Sequence, residues 1–136
     1  MSHWLALSLM AVVAWGFWGF LPTLASKSLD PRAVIVFQTV GTLTILLGMA
    51  ATGGLRFAWE ARGAGLAFAS GVAGTLGSLA FVYALTKGQP TPVLTVTALY
   101  PIVSVVLAFV VLGEELTRKK LLSIACALGA VVLAVG

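Results

Sequence analysis

Residues 91–112 read TPVLTVTALYPIVSVVLAFVVL, 22 positions without one charged side chain. At about 1.5 Å of rise per residue, a helix of that length covers roughly 33 Å, enough to cross a hydrocarbon core of about 30 Å. Four similar runs accompany it, at 4–26, 33–52, 64–86 and 121–136, and every charged residue of the chain lies outside them. The pattern predicts an all-α integral membrane protein, a bundle of five transmembrane helices at about 4–26, 33–52, 64–86, 91–112 and 118–136. The last of these takes in basic residues at its start. An odd number of spans places the two termini on opposite sides of the membrane.

Composition leads to the same class. Hydrophobic residues are 60% of the 136 positions and charged residues only 9%, against about 25% charged in a soluble domain. Helices that satisfy their own backbone groups are the natural form of such a chain in lipid. The connections at 27–32, 53–63, 87–90 and 113–120 are short and carry Gly, Pro or charge. They leave no room for an extramembrane domain, so residues 1–136 are read as a single transmembrane domain. The net charge of +4 comes from residues beside the membrane. Lipid headgroups and orientation signals explain it better than nucleic acid, which is not expected as a partner. Cys126 is the lone cysteine and lies within the fifth span, so no internal disulfide can form. The first span lacks the basic start of a signal peptide and is followed by four more spans.

With the side holding Met1 called side A, the basic residues of side A are Arg56, Arg62, Arg118, Lys119 and Lys120, and those of side B are Lys27, Arg32 and Lys87. Five against three places side A in the cytoplasm of a cell-membrane protein, with the N-terminus inside and the C-terminus outside. The margin is thin enough to allow dual topology. Small residues mark packing surfaces. In the third span Ser70, Gly74 and Ser78 repeat every four residues, as do Ala69, Ala73 and Gly77, which predicts close helix contacts on more than one side; Ala125 and Gly129 form a weaker pair in the fifth.

No span holds an acid, a base or a metal-ligand cluster. His3, the only histidine, precedes the first span and reads as a solvated terminal residue. Without a nucleophile, base and orienter, the chain is not read as an enzyme, and neither a cofactor nor a metal is expected. What stands out is a polar and aromatic level. Counted from the expected helix ends, Trp18, Gln38 and Thr97 fall at nearly one depth, somewhat to side B of the centre, with Trp15 and Tyr100 nearer the midplane. A Gln amide has several hydrogen-bonding sites that hydrocarbon leaves unmet, so Gln38 faces either another helix or a cavity. Pro22 has no N–H for the carbonyl of Trp18, and Pro101 has none for that of Thr97. Both helices are expected to kink there. The freed oxygens serve a polar pocket or are absorbed by neighbouring hydroxyls.

Trp15, Trp18 and Pro22 share one helix face. Trp4 and Trp59 suit membrane interfaces, but Trp15 and Trp18 lie too deep for that. Their indoles either fill space between helices or offer flat faces to a ligand ring, a sugar or a cation. Between the fourth and fifth spans, Glu114 can pair with Arg118 and Glu115 with Lys119 if the helix continues, or Thr117 can cap the next helix.

The run Trp15-Gly16-Phe17-Trp18-Gly19-Phe20, the segment Thr97-Ala98-Leu99-Tyr100-Pro101 and the sequence Leu112-Gly113-Glu114-Glu115-Leu116-Thr117 occur in order at successive helices. Together they resemble the EamA-type domain of the drug/metabolite transporter superfamily, over essentially the whole chain. The resemblance implies a multi-pass transporter of small metabolites or drugs. It also implies half of a ten-helix architecture in which two five-helix units of inverted topology enclose a central cavity. One such unit is present here, so the expected completion is a homodimer, with an antiparallel arrangement allowed. The related small multidrug resistance proteins use a glutamate in their first helix, whereas nothing acidic occupies residues 4–26 here.

The resulting expectation is a transporter subunit that moves a small neutral or cationic metabolite by alternating access, surrounded by membrane lipid. Trp15, Trp18, Gln38, Tyr83, Thr97 and Tyr100 are its candidate substrate-binding residues, with Pro22 and Pro101 as helix kinks. A subunit of a lipid-linked flippase and a structural or assembly protein without substrate are the alternatives.

Overall fold

The computed structural model describes residues 3–54, 60–115 and 117–135. Among the described residues six helices follow one another: α1 (His3–Ala25), α2 (Pro31–Ala51), α3 (Ala61–Lys87), α4 (Pro90–Thr97), α5 (Tyr100–Leu112) and α6 (Arg118–Val135). Arg56 and Trp59, read above as a side A charge and an interface residue, lie outside the described residues.

Local chemistry accounts for where the helices begin and end. Asp30 stands before α2 and accepts a hydrogen bond from the Arg32 N–H at 2.9 Å, while Pro31 takes the first helical position, where no N–H is needed. At the other end of α2, Gly53 adopts φ 68°; its N–H donates to Ala50 and that of Gly54 to Met49 at 2.9 Å, so two otherwise orphaned carbonyls are met. Glu60 starts α3 by accepting from the N–H groups of Arg62 and Gly63. Gly113, also at φ 68°, stops α5.

That stop settles the junction before α6. Helix does not continue through Glu114 and Glu115, so their expected pairs with Arg118 and Lys119 do not form. Glu114 instead bonds Lys120, Oε2 to Nζ, at 3.0 Å. Thr117 caps α6 as its residue type suggests, its Oγ1 accepting from the Lys120 N–H at 3.3 Å.

The fourth span differs from the single kinked helix expected. It is two helices separated by Ala98 and Leu99. Pro101 offers the Thr97 carbonyl no N–H, and the chain answers with a turn in which the Leu99 N–H reaches back only to Val96 at 3.1 Å. Around Pro22, by contrast, α1 runs on without a break, and the Pro22 carbonyl accepts from Ser26 at 2.9 Å.

Among the described residues, four stretches are long and apolar enough to cross a membrane: His3–Ala25, Pro31–Ala51, Ala61–Lys87 and Pro90–Leu112. α6 opens on Arg118, Lys119 and Lys120, which leaves 15 uncharged positions at 121–135, about 22 Å of helix.

The chain forms two compact units, Met1–Thr86 and Lys87–Gly136. In the first, the core collects where the C-terminal part of α1, the start of α2 and the end of α3 meet. Pro22, Thr23, Pro31, Val34, Phe81, Val82 and Leu85 are buried there. This is the side B end; large apolar side chains elsewhere on these helices, from Trp4 to Leu76, are exposed as suits a lipid environment. Of the small-residue stripes of α3, Gly74 and Gly77 face open space, since a Cβ placed at either would meet nothing within 4 Å among the described residues. In the second unit, α4 packs against α6.

Candidate functional site

A cleft of about 190 Å³ opens among α1, α2 and α3 within the first unit. Trp18 contributes from α1, Ile35, Gln38, Thr39 and Thr42 from α2, and Thr75 and Ser78 from α3. Five polar side chains thus line the cleft, on helices that hold no charged residue at this depth. Trp18 lies four residues past the midpoint of α1, Ser78 four past that of α3, and Gln38 three before that of α2, which runs the opposite way. All three therefore sit about 4–6 Å to side B of the helix centres. Thr42 and Thr75 lie about one residue from the midpoints, so the cleft reaches from the centre toward the packed end.

Both sides of the cleft are braced. The Trp18 ring stacks on Phe81, with centroids 6.1 Å apart and planes 18° apart, and Phe81 belongs to the buried core just below. Each hydroxyl is held by its own helix: Thr39 Oγ1 donates to the Ile35 carbonyl at 2.9 Å, Thr42 Oγ1 to Gln38 at 3.1 Å, Thr75 Oγ1 to Gly71 at 3.0 Å and Ser78 Oγ to Gly74 at 2.8 Å. Such bonds fix the side-chain rotamers and occupy the hydroxyl protons. The Gln38 side-chain amide is half-buried and takes no hydrogen bond among the described residues. No ionisable group lines the cleft.

Of the residues singled out in the sequence, Trp18 and Gln38 meet at this cleft. Trp15 is three residues earlier on α1, 59% exposed and outside the lining. Tyr83 is half-buried on α3 beside the core, and its carbonyl accepts from Thr86 Oγ1 at 2.7 Å. Thr97 and Tyr100 belong to the second unit and flank the Ala98–Leu99 turn; Thr97 Oγ1 donates to Val93 and Leu94 at 2.9 and 3.1 Å. Pro22 is buried in the core of the first unit, and Pro101 is exposed near the start of α5.

Four lining hydroxyls were not picked out as site residues. Ser78 belongs to a small-residue stripe of the third span, and Thr39, Thr42 and Thr75 are not among the candidates drawn from the sequence. A signal was present in the spacing, since Gln38 and Thr42 are four apart on α2 and Thr75 and Ser78 three apart on α3.

The EamA-like transporter family matches the chain over residues 2–136. The chain belongs to that family. No curated protein and no solved structure matches it. The resemblance drawn from the Trp15–Phe20, Thr97–Pro101 and Leu112–Thr117 motifs is thus confirmed, and with it a multi-pass membrane protein of transporter type.

Proposed function

We propose that this protein is a transporter subunit that carries a small neutral or cationic metabolite across the cell membrane by alternating access. The observation that carries the reading is the cleft itself: five polar side chains and a braced tryptophan at the middle depth of helices that hold no charged residue there, in a chain of a transporter family. In this reading residues 1–136 form one five-span domain, α4 and α5 together making the fourth span and α6 the fifth, its cationic first turn snorkelling to the membrane surface. A second unit of opposite topology, supplied by another copy of the chain, completes the ten-helix arrangement, and the homodimer is antiparallel. Trp18 and Gln38 contact substrate. Trp15, Tyr83, Thr97 and Tyr100 line its path, and the break before Pro101 is where the fourth span rocks.

Flux of a panel of small metabolites into proteoliposomes tests the reading, with Gln38→Leu as the diagnostic variant. Leu approximates the size of Gln and removes the amide, so transport should fall at least tenfold while abundance and melting temperature stay at parental values. A variant that melts lower yet transports at the parental rate per molecule would make Gln38 a structural residue and remove the cleft from the pathway.

A further inference from the structure

We infer that the cleft selects ligands that donate hydrogen bonds, and that its ligand class is the small primary alkylammonium ion. The inference rests on the transport reading only for where the ligand goes. It starts from the fate of four protons. A hydroxyl has one donor and two acceptor sites. In Thr39, Thr42, Thr75 and Ser78 the donor is used within the helix, on the carbonyl one turn back. What remains for the cleft is oxygen lone pairs. Gln38 lines the cleft with an amide that takes no hydrogen bond among the described residues, and Trp18 adds an indole N–H and an aromatic ring fixed against Phe81.

Such a lining ranks ligands by charge and donor count. An ammonium group brings three N–H donors and a positive charge, matching several oxygens at once and the negative face of an indole. An alcohol of equal length brings one donor and no charge. A carboxylate brings only acceptors, meets four hydroxyl oxygens whose protons are already used, finds N–H donors only in the Gln38 amide and the Trp18 indole, and has no Lys or Arg in the lining to compensate. With no Asp or Glu in the cleft either, the cation is held by dipoles rather than by a counter-ion, which suits a site that must also let its ligand go. At about 190 Å³ the cleft is below the range of about 300–1,000 Å³ for drug-sized pockets, and so suits an ion of a few heavy atoms.

Three four-carbon probes separate the possibilities: butylammonium, 1-butanol and butyrate, titrated against the full chain in lipid nanodiscs by calorimetry and by tryptophan fluorescence. Butylammonium should bind at least tenfold tighter than 1-butanol, and butyrate should not bind. Thr42→Val and Ser78→Ala should each weaken butylammonium about tenfold, the scale of one hydrogen bond to a charged group. Thr42→Ser should retain binding. Thr44→Val is the matched control, because Thr44 makes the same bond to its own helix, to Val40 at 2.9 Å, but does not line the cleft. Equal affinity for the three probes, tighter binding of butyrate, or unchanged affinity in both folded cleft variants would overturn the inference; so would an equal loss in Thr44→Val. Flux of the same probes into proteoliposomes keeps the two readings apart. Butanol or butyrate moved in preference to butylammonium would leave transport standing and remove the inference, whereas butylammonium bound at the cleft but never moved would do the reverse.

Discussion

At the scale of single residues, the first unit holds one polar atom with an unusual environment. Thr23 is buried beside Pro22, and its Oγ1 has no hydrogen-bond partner among the described residues, whereas the hydroxyls of Thr39, Thr42, Thr44, Thr75 and Ser78 each bond a carbonyl one turn back. A buried hydroxyl without a partner carries a desolvation penalty of about 1–3 kcal/mol. Thr23→Val keeps the shape and removes the oxygen, so the variant should melt at the parental temperature or higher; a loss above about 1 kcal/mol would reveal a partner for Thr23 in the assembled protein. Trp18 and Gln38 were legible as cleft residues because depth along a helix can be counted from sequence. The hydroxyls were not, since Ser and Thr occur on every face of these helices and only the direction of neighbouring helices decides which four meet. Trp15 lies three residues from Trp18 on a similar face of α1, but the cleft edge passes between them.

Among the helices, charge-free length announced each apolar run, and the ends followed from Asp30, Pro31, Gly53 and Gly113, whose conformational preferences act locally. The two internal prolines looked alike in sequence and behave differently. Pro22 sits in an unbroken α1 where it is buried by the core, while Pro101 divides the fourth span into α4 and α5. Packing around Pro22 holds the helix through the missing bond. Pro101 is exposed and lacks that support, so Ala98 and Leu99 form a turn instead. Pro101→Ala restores an N–H that can reach the Thr97 carbonyl, and α4 and α5 should fuse into one helix. Hydrogen exchange at residues 98–102 should slow at least tenfold. If the break serves alternating access, flux should fall although the protein becomes more stable; unchanged flux with slowed exchange would make the break incidental to transport.

For the whole molecule, the deciding quantity is the bias in basic residues, five on side A against three on side B, because it sets which way each copy inserts. An antiparallel dimer needs both orientations in one membrane, and a margin of two supplies them more readily than a strong bias would. In the proposed dimer, the exposed Gly71, Gly74 and Gly77 face of α3 would give a second copy a surface on which backbones can approach closely. Lys27→Gln with Arg32→Gln changes the count to five against one and should fix every copy with its N-terminus in the cytoplasm, as read by a C-terminal tag. Lys119→Gln with Lys120→Gln changes it to three against three, and an added pair of lysines on side B then turns that copy over. Each fixed form alone should lose transport, and co-expression of the two should restore it. Full transport by either fixed form alone would show that parallel copies, or one copy, suffice, and the inverted pair would then have no place in the mechanism.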